Sequence, residues 1–252
     1  MAKKKNEVVP AAQIKKDLAQ PLRGLGRGLE EVEQRDVQLG RLKLLQKTSD
    51  KELSAIKGSK VGDIINNISL VNYGNKLTIT PLFLFKSRAK WEDREEGNKI
   101  ECQAPDGKIP TTHQYAKECS SCPHRDWAKN KAGATIAPLC TEYYNFAVLV
   151  NEETLPVVLS CDRSKIKVAR KLISMMMMAS TPENPTPDMW SRQYALISKE
   201  EINPKGNFTN FIPSLKGETP DKIKKLAESL YLSLKKVKIN VKDEEQPSPA
   251  QE

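Results

Sequence analysis

Apolar and polar positions are unevenly patterned along this chain, and the changes of pattern divide it. The first stretch, MAKKKNEVVPAAQIKKDLAQPLRGLGRGLEEVEQRD, mixes lysines, glycines and short apolar islands without a strand or helix period, which reads as a flexible basic arm over residues 1–38. RLKLLQ (41–46) alternates charged and apolar side chains as a short strand does. From Val61 the chain turns β-rich. VGDIINNISLV (61–71) and KLTITPLFLFK (76–86) flank the turn-prone Asn-Tyr-Gly-Asn, a hairpin signal. In the second run Leu77, Ile79 and Pro81 share one face, with Thr78 and Thr80 on the other. Pro81 has no N–H for a ladder, so its strand is expected to lie at an edge or to bulge there. YYNFAVLV (143–150) and LPVVLSC (155–161), separated by NEET, predict a second hairpin made of core strands.

A helix follows. DRSKIKVARKLISMMMMAS opens with Asp162 as candidate N-cap, repeats Ile166, Ala169, Ile173 and Met176 at helical spacing, and stops before TPENPTP; its methionines read as buried packing rather than a binding groove. WSRQYALIS (190–198) and NFTNFIP (207–213) supply two further strands around INPKGN. TPDKIKKLAESLYLSLKKV makes an amphipathic helix with Thr219 as cap candidate and Pro220 at its first position. The expected fold class is mainly β with flanking helices (α+β), a small Greek-key barrel with an insertion and disordered termini. The barrel occupies 39–218, its insertion 98–142, the C-terminal helix 219–238 and a disordered polar tail 239–252.

Composition adds a partner. At 38% hydrophobic the 252 residues can bury a core, while 29% charged, 6% aromatic and a mean hydropathy of -0.57 suit a globular centre with solvated ends. The formal charge of +9 suggests an anionic partner, and residues 1–60 carry much of the excess, 14 Lys or Arg against 8 Asp or Glu. No apolar run approaches the ~18 residues of a membrane span and the N-terminus lacks a secretory pattern, so a soluble chain in the cytoplasm, without a membrane partner, is expected.

The cysteines supply the sharpest chemistry. Five is an odd number in a chain without a secretory signal, which argues against a disulfide framework. Cys119 and Cys122 frame two serines, with Cys102 and Cys140 flanking them almost symmetrically. A Cys-x2-Cys knuckle lets two sulfurs grip one ion, and tetrahedral Zn2+ takes four thiolates. QAPDGKIPTTHQYAKE and PHRDWAKNKAGATIAPL, between the cysteines, are too polar to bury a core, so their fold would need the metal. His124 or His113 replacing one cysteine, or thiols without metal, are the alternatives. Cys161, ending an apolar strand, reads as a buried thiol. No deaminase, Walker or dinucleotide pattern is present, the Cys-x-x-Cys does not sit where a strand meets a helix, and nothing demands an enzyme or a small-molecule substrate.

Binding fits better. A small barrel offers single-stranded nucleic acid a groove in which bases stack on aromatics and cations follow the phosphates. Phe83, Phe85, Trp91, Tyr143, Tyr144, Trp190 and Tyr194 are the aromatic candidates; Lys86, Arg88, Lys90 and Arg94 surround Trp91 in FKSRAKWEDR, with Trp91 the ring most expected to face a base. The sequence of RGLEEVEQRD, RLKLLQ, VGDIINNISL, a strand ending near KW, the C...CSSCPHRDW...PLC insertion, YYNFAVLV and SKIKVARKLIS resembles, over residues 28–215, a family of bacteriophage single-stranded DNA-binding proteins. The resemblance implies an oligonucleotide-binding barrel with a zinc-ribbon insertion held by Cys102, Cys119, Cys122 and Cys140, single-stranded DNA as partner, and a role in phage or mobile-element replication or recombination inside the bacterial host. The competing expectation is an adaptor whose ribbon docks on a replication, transcription or virion protein.

Overall fold

The computed structural model describes residues 38–47, 49, 51–92, 99–151, 153–182, 184–203 and 206–234. The chain divides between Gln38 and Leu39, and the described fold belongs to the second unit. The expected arm (1–38, all but Gln38), the end of the terminal helix beyond Leu234, the tail and Arg94 lie outside the described residues.

The fold is α+β and mostly strand. Its strands are β1 (Leu42–Leu44), β2 (Ile64–Asn66), β3 (Lys76–Trp91), β4 (Ile100–Ala104), β5 (Ala128–Lys129), β6 (Thr135–Ile136), β7 (Cys140–Val150), β8 (Val157–Asp162), β9 (Arg192–Asn203) and β10 (Gly206–Glu218); its helices are α1 (Lys51–Ser54), α2 (Ile166–Met177) and α3 (Asp221–Leu234). One six-stranded sheet runs β10-β9-β3-β7-β8, and β4 pairs with β3; every pairing in it is antiparallel. Strand β7 is buried on both faces, which explains its nearly continuous apolar run.

Two cores follow from that. On one face Ile79, Phe146, Val148, Val150, Leu159 and Leu196 meet Val168, Ala169 and Leu172 of α2, with Leu42, Leu44 and Ile64 closing the end. On the other, Leu82, Ala147 and Leu149 receive Ile223 and Ala227 of α3. Each fully buried large side chain contributes roughly 1.5–3 kcal/mol. Phe83, Phe85 and Trp190 form a chain of ring contacts with Tyr231 of α3, and Tyr144 and Tyr194 are in the first core, so five of the aromatic candidates are packing residues. Met175 and Met176 pack on the core, but Met177 and Met178 are exposed, correcting the reading of all four as buried. Among the described residues no helix is long and apolar enough to cross a membrane.

The expected Greek-key barrel does not close. The sheet ends in two edges, β8 and β10, and no described strand pairs with both. A separate β1–β2 ribbon lies between them. It touches β8 through the Val158 N–H donating to Gly40 O at 2.7 Å. At β10 the Gln46 side chain stands in for a strand: its Nε2 donates to Thr209 O and its Oε1 accepts from the Thr209 N–H, both at 2.8 Å. A side-chain amide thus satisfies backbone groups that an open edge would leave bare.

The first expected hairpin is also corrected. Strand β2 pairs with β1, not β3, because the chain reverses at residues 67–71 rather than at Asn-Tyr-Gly-Asn. Asn66 causes this: its Oδ1 accepts the N–H of Ile68 at 2.9 Å and of Ser69 at 3.2 Å, an Asx turn. Neither helix cap forms as expected. A 3-10 turn, Arg163–Lys165, intervenes before α2, and Asp162 makes no side-chain cap bond; the Thr219 hydroxyl is buried without a partner among the described residues. The second hairpin and the bulge at Pro81 form as read.

Gly40 marks how tightly the ribbon is seated. A Cβ there would stand 2.4 Å from Asn66 Oδ1, the atom holding the Asx turn. Gly40→Ala is expected to cost about 1–3 kcal/mol through this overpacking, seen as a lower urea midpoint at unchanged slope; an unchanged midpoint would contradict it.

Candidate metal and nucleic-acid site

The insertion leaves the sheet where β3 ends and returns at β7. Cys102 and Cys140 face the same β3 residue, Lys90, from its two sides, which puts them in register on flanking strands. The knuckle is brought to them by backbone bonds. Cys119 N–H donates to Lys108 O at 2.7 Å, Cys122 N–H to Cys119 O at 3.3 Å, and Cys140 N–H to His124 O at 3.0 Å. Cys119–Ser121 form a single 3-10 turn, so the two knuckle residues are close in space as well as sequence.

Cys119 lies within the field of Cys102 and Cys122, and Cys140 within that of Cys119 and Cys122. Burial pushes the Cys140 thiol up to about 11, and Cys119 and Cys122 add to the push while the Arg88 guanidinium, which also hydrogen-bonds it, pulls back. Cys119 is raised by burial against Arg88, with Cys102 and Cys122 contributing. None of the five cysteines is in a disulfide. Cys161 is fully buried in the core, where desolvation raises its thiol to about 12. Among the described residues no three Cys, His, Asp or Glu stand in a metal-holding group, and a zinc-bound ribbon is not part of the described fold. His124 packs edge-on against Tyr115 at 4.6 Å, and His113 is exposed.

The insertion has almost no core of its own. Between residues 105 and 139 only Pro110 and Cys119 are buried. Its outer part is the two-stranded β5–β6 ribbon, paired Ala128 with Ile136 and Lys129 with Thr135.

The structure brings the candidate nucleic-acid residues together, though as a cross-strand network rather than an open track. Lys86, Arg88 and Lys90 alternate along β3 and so share a face. Lys86 Nζ donates to Tyr144 Oη at 2.9 Å, lies 4.1 Å from that ring's centre and is 3.7 Å from Glu142 Oε1. Arg88, buried, meets the same Glu142 at 3.1 Å; Lys90 pairs with Glu101 and lies over the Tyr115 ring. Trp91 Nε1 donates to Tyr143 Oη at 3.3 Å. Tyr143 and Tyr144, taken from sequence as base contacts, are both buried, so neither ring offers a stacking face. Lys86, with its side chain 45% exposed, is the most open of the three cations.

What sequence reasoning passed over is Glu142, which sits opposite Arg88 in register, and Trp127, 68% exposed in the insertion. The signal for Trp127 was its setting in RDWAKNK, where polar neighbours leave nothing to bury it.

Comparison with known proteins gives one match. A family model described as Pam3 phage gp34-like protein matches residues 4–240. No curated protein matches, and no solved structure matches.

Proposed function

The chain belongs to the Pam3 phage gp34-like family, and from that premise we propose that it is a non-enzymatic protein that coats single-stranded DNA in phage replication or recombination, with structural zinc on Cys102, Cys119, Cys122 and Cys140. The observation that carries the reading is the insertion: a solvent-facing excursion with almost no core of its own, carrying a Cys-x2-Cys turn and leaving the sheet between Cys102 and Cys140, which stand in register across Lys90. The donor set fits zinc. Thiolates around a divalent ion keep net negative charge, and the buried Arg88 guanidinium is placed to offset it. Zinc so bound fastens the loop and keeps no open position for catalysis.

DNA as the partner is supported by charge and phage membership rather than by the β3 cations, most of whose charge is met by Glu142 and Glu101. Filter binding at two salt concentrations tests it. Affinity for single strands should fall with salt at a log–log slope of about -0.7 per neutralised phosphate, and duplex should bind less well. A flat salt response, or equal affinity for duplex, would sink the reading.

The adaptor reading is favoured by one observation: Ile109, Ile136 and Leu139 of the insertion are exposed apolar residues. Pull-down with Cys119→Ser, Cys122→Ser protein separates the two; lost replication or virion partners with unchanged DNA binding would favour the adaptor.

A further inference from the structure

The three tryptophans are not alike. Trp91 is half-buried and donates to Tyr143; Trp190 is half-buried with its ring 5.0 Å from that of Tyr231. Trp127 keeps 68% of its surface in water, although an indole is among the side chains that gain most from burial.

Its backbone is nevertheless well held. Trp127 leads directly into β5, whose ladder with β6 fixes the direction of the chain. The turn between the two strands is closed by Asn130, whose Oδ1 accepts from the N–H groups of Ala132 at 3.0 Å and Ala134 at 2.8 Å. Asn130 N–H donates to Ala134 O at 2.9 Å, and Gly133 takes the left-handed φ of 78° that the reversal needs.

The charge beside the ring in sequence is mostly positive. Arg125, Lys129 and Lys131 flank it in sequence, and the one acidic residue among them, Asp126, is 3.7 Å from Arg125. An exposed indole on a hydrogen-bonded ribbon, with cations on both sides in sequence, complements a polymer that offers both a flat π-face and phosphates. Single strands do; a duplex keeps its bases stacked inside. A purely apolar protein dock would need Ile136 and Leu139 but gains nothing from the lysines.

We infer that Trp127 is a base-stacking platform for single-stranded DNA, with Lys129 and Lys131 holding the adjacent phosphates. The inference rests on the DNA-binding reading and names its contact site on the ribbon instead of on β3.

The test titrates the full-length protein with a homothymidine oligonucleotide, following tryptophan fluorescence and anisotropy of a labelled strand. Trp127→Ala should weaken binding by about 10- to 100-fold, and Trp127→Phe should retain most of it, since any aromatic face stacks. Lys129→Ala and Lys131→Ala should each reduce the salt slope by roughly one phosphate's worth. Wild-type protein that binds, with Trp127→Ala binding equally well, overturns this inference and leaves the DNA reading standing. Wild-type protein that does not bind at all sinks that reading and the inference with it. Trp127→Ala that keeps oligonucleotide affinity but loses a protein partner assigns the patch to protein docking and overturns the inference.

Discussion

Chelation of the purified protein is expected to release one zinc per chain and to open residues 105–139 to protease while the six-stranded sheet stays folded. The size of the effect follows from how little else orders that segment. Only Pro110 and Cys119 are buried in it, and its ladders amount to two paired positions in β5–β6. Structural zinc contributes folding free energy of about 10 kcal/mol or more, well beyond what those contacts supply. Lys108, Lys117, Arg125, Lys129 and Lys131 mark trypsin sites inside the segment, so cleavage there reports its opening directly. The sheet should survive because Ile79, Phe146, Val148 and Leu196 pack at the far end of β3 and β7 with α2. Cys119→Ser with Cys122→Ser should reproduce the chelated pattern. Metal-free native protein, or an insertion equally resistant after chelation, would contradict the expectation and remove zinc from the proposal.

Much of this arrangement was visible in the residues, and the failures share a cause. The β7–β8 hairpin was legible because YYNFAVLV and VVLSC are apolar runs joined by a short polar turn, a local signal. The strands β9 and β10 and the helices α2 and α3 were legible for the same reason. The partner of β2 was not, since it depends on Asn66 closing an Asx turn before the more obvious Asn-Tyr-Gly-Asn. Nor was the open edge, where a single glutamine amide replaces strand pairing. At the site, the cysteine spacing singled out Cys102 and Cys140, which the fold sets in register on either side of Lys90, but the described residues do not draw the four thiols into one metal-holding group. The exposure of β3 was misjudged because Glu142 lies more than fifty residues away in sequence yet directly across the ladder from Arg88. Charge neutralisation across a sheet is nonlocal, and a run such as FKSRAKW carries no trace of it.

That carboxylate sets up the second large effect. Glu142→Ala is expected to destabilise the protein by about 3 kcal/mol, near the lower end of the cost of breaking a buried ion pair because the Glu142 side chain is partly solvated. Arg88 is 9% exposed and would keep its charge with no carboxylate against it at 3.1 Å, while Lys86 would lose a second, longer contact at 3.7 Å. Urea denaturation reads the loss, and Glu142→Gln, which keeps an acceptor, should lose less. Single-strand affinity should change little in Glu142→Gln, because Arg88 stays buried; a marked rise would mean that the β3 cations do reach phosphates once released. The thiols give the experiment its sharper form. With zinc bound, the thiolates beside Arg88 share the work of offsetting its charge, so Glu142→Ala should cost less in metal-loaded protein than in Cys119→Ser, Cys122→Ser protein. Equal costs in the two backgrounds would mean that Arg88 serves Glu142 alone and that the guanidinium has no part in holding the metal.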